Sequence, residues 1–248
     1  TLARFHLTLR VWWLRGLQTK EDCEAQPSSL DSFLRYLHWN VIDGEWVDRC
    51  GISIFMYTVV FNNISVLREL LHKLSSSEPT MYKKRLRGEV PPKGIPSLGI
   101  TGKITALVTA MGFAGLECVS LLLEHGADPY ESDIAGNDAL MLASIFGRTD
   151  NVKFWIKRFP NWDLERKNKV AGGVALGHAV YMGPRRLALV KLLLEHGASL
   201  DYCTDTGGSI LANLCCNEDG DLEVLDFLLK KKMNTSVNYR CRDRTTKW

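Results

Sequence analysis

Between Thr105 and Ser199 the apolar positions return in a fixed order. A short run, Thr105-Ala-Leu-Val-Thr-Ala110, is followed by Leu121-Leu-Leu-Glu-His-Gly-Ala-Asp128. After 33 residues the order repeats as Asp138-Ala-Leu-Met-Leu-Ala143 and then Val152-Lys-Phe-Trp-Ile156. Val190-Lys-Leu-Leu-Leu-Glu-His-Gly-Ala-Ser199 nearly copies the first of the longer runs. In 116–124, Leu116, Val119, Leu122 and Leu123 fall on one helical face, with Glu117, Ser120 and Glu124 pointing away. Gly126 and Gly197 stand where such a helix ends in a left-handed residue. A repeat of this length predicts two-helix units that cannot bury their apolar faces alone and must stack.

These units resemble the ankyrin repeat, which has an Asp and Gly in the turn, a TPLH-like helix start and a GAD ending. The first unit has Asp48, Gly51 and Ser53-Ile-Phe55, and runs to about Leu74. The second has Thr105-Ala-Leu107 and Gly126-Ala-Asp128; the third has Asp133, Gly136, Asp138-Ala-Leu140 and Gly147, with Phe159 in place of the terminal Gly. The fourth has Leu176, Ala179, Gly183 and Gly197-Ala-Ser199, stretched around Pro184-Arg-Arg186. The fifth has Gly207, Ser209-Ile-Leu211 and Val224-Leu-Asp-Phe-Leu-Leu229. The resemblance implies an all-α, ankyrin-type solenoid of about five helix-turn-helix units with an N-terminal helical region.

On this reading residues 1–47 form a helical capping region, 48–234 the repeats, and 235–248 a basic tail or the start of a further repeat. The chain then reads as a piece of a longer protein. An insertion over 75–100 carries Pro79, Pro91, Pro92 and Pro96, a density that predicts a long loop. Leu2, Phe5, Leu9, Trp12 and Trp13 fall at helical spacing and predict a first helix. A second helical stretch from about Leu30, carrying Trp39 and Trp46, could receive it.

Five and six residues past the TPL-position leucine or phenylalanine stand Val60-Phe61, Gly112-Phe113, Ile145-Phe146, Tyr181-Met182 and Cys216-Asn217. In ankyrin proteins these offsets end the first helix and line the concave face. The resemblance therefore implies a protein partner held there by Phe61, Phe113, Ile145, Phe146, Tyr181 and Met182. Connector tips add Arg49 and Asn137, with Ile134 and Asp205. The competing reading of the aromatic residues is packing against neighbouring repeats.

Charge changes the picture only at the ends. The net charge is +3, yet Arg4, Arg10, Arg15 and Lys20 meet no acid in residues 1–20. Arg240, Arg242, Arg244 and Lys247 face only Asp243. A second function follows: a structural subunit of a large membrane-associated or ribonucleoprotein complex, attached by its basic ends, with residues 1–20 as a membrane-surface or complex contact. The run Lys83-Lys-Arg-Leu-Arg87 reads as a solvated loop, and nucleic acid is not an expected partner.

The seven cysteines form no CxxC pair, and Cys118, Cys215 and Cys216 fall in apolar helical segments as small hydrophobes. That favours an intracellular compartment, the cytoplasm foremost, or an organelle after loss of a leader. The six histidines form no HExxH pair. Gly102-Lys103 lacks the rest of a phosphate loop, and Gly207-Gly-Ser209 lacks a nucleophile elbow's final Gly. No enzyme activity, metal or cofactor is expected; the expected function is a protein-interaction scaffold or adaptor.

Overall fold

The computed structural model describes residues 29–31, 40–42, 45–47, 52–76, 79–87, 104–181, 186–215 and 221–231. Residues 1–20, the 235–248 tail, Arg49, Met182, Cys216 and Asn217 lie outside the described residues. The chain divides into two compact units, Thr1–Ile134 and Ala135–Trp248.

In the first unit, strands β1 (Asn40–Ile42) and β2 (Glu45–Val47) pair antiparallel, with Asn40 opposite Val47. Helices α1 (Ile54–Val60), α2 (Ile64–Ser75), α3 (Pro79–Arg87), α4 (Ala106–Phe113) and α5 (Leu116–Glu124) follow. Helix α1 packs on α4 and α2 on α5, which gives an inner and an outer row. The second unit repeats the plan. Its inner row is α6 (Ala139–Ile145), α8 (Ala175–Tyr181) and α10 (Ile210–Cys215); its outer row is α7 (Thr149–Arg158), α9 (Leu187–Glu195) and α11 (Leu222–Lys230).

Inner helices α1, α4, α6 and α8 are short and mostly buried, because small residues let neighbours approach: Ala106, Ala110, Ala139, Ala143 and Ala179 have no exposed surface. Three of them begin at a matching cap. Ser53 Oγ accepts from the N–H of Met56, Thr105 Oγ1 from that of Val108, and Asp138 Oδ1 from that of Met141. Outer helices bury one stripe only: Val119 and Leu122, Val152 and Trp155, Val190 and Leu193, Val224 and Leu228. Gly126 and Gly197 adopt φ of 89° and 96° just past α5 and α9, the left-handed stop expected of them. The fold class is all-α and of ankyrin type.

Two local expectations fail. The helical stretch drawn through Trp46 is instead the β1–β2 hairpin. Val41, Ile42 and Val47 are strand formers, and the intervening Asp43-Gly44 dipeptide is the sequence signal of a tight hairpin. The loop expected over 75–100 contains α3 at 79–87. Pro79 opens that helix, where a missing N–H costs nothing, and Pro91, Pro92 and Pro96 all follow its end. Leu86 is buried, while Lys83 and Lys84 stay exposed. Tyr82 reaches His125: its hydroxyl donates to the His125 carbonyl at 3.0 Å and lies 2.9 Å from Nδ1.

Among the cysteines, Cys118 is fully buried, and desolvation pushes its thiol up to about 12. Cys215 is exposed rather than part of a core, and Cys203 is disulfide-bonded, a state that the thiol reading of the cysteines did not include.

Candidate functional site

The candidate surface starts at the C-terminal ends of the inner helices. In the first unit Phe61 caps α1 and its ring stacks on Tyr57, 6.1 Å between centroids and 16° between planes. Phe113 is the last residue of α4. Phe61, Tyr57 and Phe113 are all half-buried, at ends of two helices that pack together. The loops behind them are fixed. Asn62 takes a left-handed φ of 54°, and its Oδ1 accepts from the N–H of Gly115 at 2.9 Å. Asn63 then caps α2 through the N–H of Val66. Arg68 and Glu117 pair across the outer row at 2.9 Å, both exposed and therefore worth little.

In the second unit Phe146 caps α6 and Tyr181 ends α8, both half-buried. Their neighbour Ile145 is buried, 8% exposed, because one step along a helix turns a side chain through about 100° and into the core. Ile145 thus supports the surface rather than forming it. The end of α6 is held from outside: the Arg186 guanidinium donates to the carbonyls of Ser144 at 3.3 Å and Ile145 at 3.1 Å. Gly147, at φ 65°, lies so close beneath it that any Cβ would meet the guanidinium. Burial lowers the Arg186 pKa, and Asp221 opposes that shift.

The connectors of the second unit are tied to one another. Lys169 N–H donates to Ala135 O, and Asp205 N–H to Ala171 O. Asn137, expected at an exposed tip, is buried: Asn168 Nδ2 donates to its Oδ1 at 2.9 Å. Asn168 also accepts from the N–H groups of Ala171 and Gly173, so one side chain orders the whole connector. Asp205 stays exposed beside Lys167 at 3.6 Å. Among the described residues, the large apolar ones left in solvent on connectors are Tyr130 and Ile134 in the first unit and Val170 in the second. The repeat comparison had reached Ile134; Tyr130 and Val170 carry no distinguishing pattern.

Asn168 Nδ2 lies 3.4 Å from His178 Nε2, an acceptor when the ring is neutral. Burial pushes the His178 pKa down to about 4. Protonation is therefore easier in the unfolded chain. With the ring neutral in both states, stability is undiminished above about pH 6.5, and it is lost as pH falls toward 4. A shift of this size corresponds to roughly 3 kcal/mol, reduced to about 2 because the ring is not wholly shielded. Urea unfolding at pH 7 and pH 4.5 should show a larger acid loss in the native protein than in His178→Gln; equal losses would mean that the ring already protonates in the fold.

Among the described residues no helix is long and apolar enough to cross a membrane, and no group of three His, Cys, Asp or Glu residues is placed to hold a metal ion. What the geometry offers, in each unit by itself, is an inner and an outer row of helices with half-buried aromatic rings at inner-helix ends. Residues 107–154, covering α4 to α7, match the family profile of ankyrin repeats in many copies. Residues 107–154 carry ankyrin repeats. It is also 30% identical over 134 residues to the zebrafish (Danio rerio) ankyrin repeat and SAM domain-containing protein 6, an alignment covering 52% of this chain and 17% of that protein. The chain thus spans about a sixth of the length of that relative. Ankyrin repeats are binding modules that mediate protein–protein interaction.

Proposed function

We propose that this chain is a non-catalytic adaptor whose first unit holds a protein partner against Phe61 and Phe113, with Tyr130 and Ile134 as a second strip on its connector. The observation that carries the reading is the partial exposure of two phenylalanine rings at equivalent ends of neighbouring inner helices. Rings of this size supply much of the binding energy when a partner completes their burial. They are also held in place beforehand, since Asn62 ties the two loops together. Less ordering is then lost on binding. Phe146 and Tyr181 offer the same chemistry in the second unit.

The test is quantitative affinity purification of the native protein beside a Phe61→Gln/Phe113→Gln variant, checked for unchanged helix content by circular dichroism. Partners held on this face should fall about tenfold or more in the variant, the size expected for two aromatic anchors. Equal recovery from a variant of unchanged fold would defeat the inner-face proposal. Near-stoichiometric, salt-resistant recovery of one large complex would instead mark a built-in structural subunit.

A further inference from the structure

A concave feature lies in the second unit, on the outer row. It is a groove of about 390 Å³ between α7, the segment 159–164 and α9. Its walls are built by sequence. Ile156 and Pro160 come from one face of α7 and its extension, and Leu192 comes from α9. Phe159 stands where a terminal Gly would release the chain; it caps α7 at φ −130°, and the segment folds back so that Trp162 and Leu164 line the groove. Beneath it Trp155 is fully buried, 4.6 Å from the Phe159 ring and 5.1 Å from that of Trp162. The walls are therefore stiff.

The rim has one sign. Lys153 and Lys157, exposed at successive turns of α7, and His196 after α9 line the groove, and none of the lining residues is acidic. Two nearby acids are engaged in turns: Asp163 Oδ1 accepts from the N–H of Glu165, and Glu165 Oε1 from that of Ser199. Glu195, beside His196, is exposed but does not line the groove. His196 Nδ1 lies 2.8 Å from the Leu192 carbonyl, which leaves Nε2 for a ligand. Arg158 lies over the Phe159 ring at 5.4 Å and adds positive charge nearby.

We propose that this outer groove binds an acidic peptide segment of a partner protein, a bulky apolar side chain seated between Phe159, Trp162 and Leu192 and flanking carboxylates on Lys153 and Lys157. A volume of this size accommodates one or two large side chains. The rim charge selects the sign of what flanks them. This site is separate from Phe61 and Phe113 and does not depend on the reading given to them.

The experiment is fluorescence polarisation with the whole chain and short labelled peptides. One carries a leucine-tryptophan pair among glutamates and aspartates, a second has lysines in place of the acids, and a third has serines in place of the pair. The first should bind saturably, more weakly as salt is added, and the other two about tenfold less well. Lys153→Glu/Lys157→Glu, both exposed and tolerant of change, should lose about tenfold for the first peptide with an unchanged melting temperature. Phe61→Gln/Phe113→Gln should bind it as the native chain does. Failure of the native chain to bind it, equal binding of the lysine peptide, or undiminished binding by the charge-reversed variant would each overturn the proposal.

Discussion

Trp155→Ala should destabilise the second unit by about 3–5 kcal/mol, the range for removing a large buried aromatic from a packed core. Trp155 has no exposed surface and is ringed by Phe159 and Trp162. Deletion leaves a cavity that the outer row cannot close without moving both rings. The conservative change behaves differently. Trp155 Nε1 has no hydrogen-bond partner, so the indole already carries the penalty of a buried, unpaired donor. Trp155→Phe gives up volume but relieves that penalty, and should cost only about 1–2 kcal/mol. Urea unfolding of the three proteins by far-UV circular dichroism distinguishes these outcomes. Similar losses for the two variants would mean that the N–H carries no penalty, and a small loss for Trp155→Ala would mean that the site collapses freely.

The same residues show what the sequence could and could not reveal. The repeat period fixes register, and register alone places Phe61, Phe113, Phe146 and Tyr181 at inner-helix ends. Gly126 and Gly197 were legible because their left-handed conformation strongly favours a residue without a side chain. Asn137 was not, since its burial depends on Asn168, 31 residues away in the next connector. Phe159 read as a degenerate repeat ending; in three dimensions the missing Gly makes the segment turn back and wall the outer groove. Prolines misled at 79–87 because density was weighed without position: Pro79 at the first helical residue is compatible with α3. The hairpin at 40–47 was obscured because Trp39 and Trp46 were assigned to one helical stretch from about Leu30, although an Asp-Gly dipeptide stood between two β-rich runs.

Asp221→Ala should cost about 2–3 kcal/mol, more than an ordinary helix cap, because this carboxylate serves three backbone donors at once. Oδ1 accepts from the N–H groups of Glu223 at 3.0 Å and Val224 at 3.3 Å, which starts α11. Oδ2 accepts from the N–H of Arg186 at 2.7 Å, which starts α9. Asp221 is only 6% exposed, so water cannot replace what alanine removes. The loss also travels. Arg186 closes α6 with its guanidinium, and the charge of Asp221 favours its protonated form against burial. Without the carboxylate, a half-buried cation faces the end of α6 with less compensation, and Phe146 sits on that end. Asp221→Asn keeps one carbonyl oxygen for the α11 cap but places an amide donor against the Arg186 N–H, so it should recover about half of the loss. Thermal unfolding of both variants, with hydrogen exchange at the amides of Glu223, Val224 and Arg186, is the direct check. Faster exchange at the first two but not at Arg186 would show that the carboxylate caps α11 without tying α9 to it.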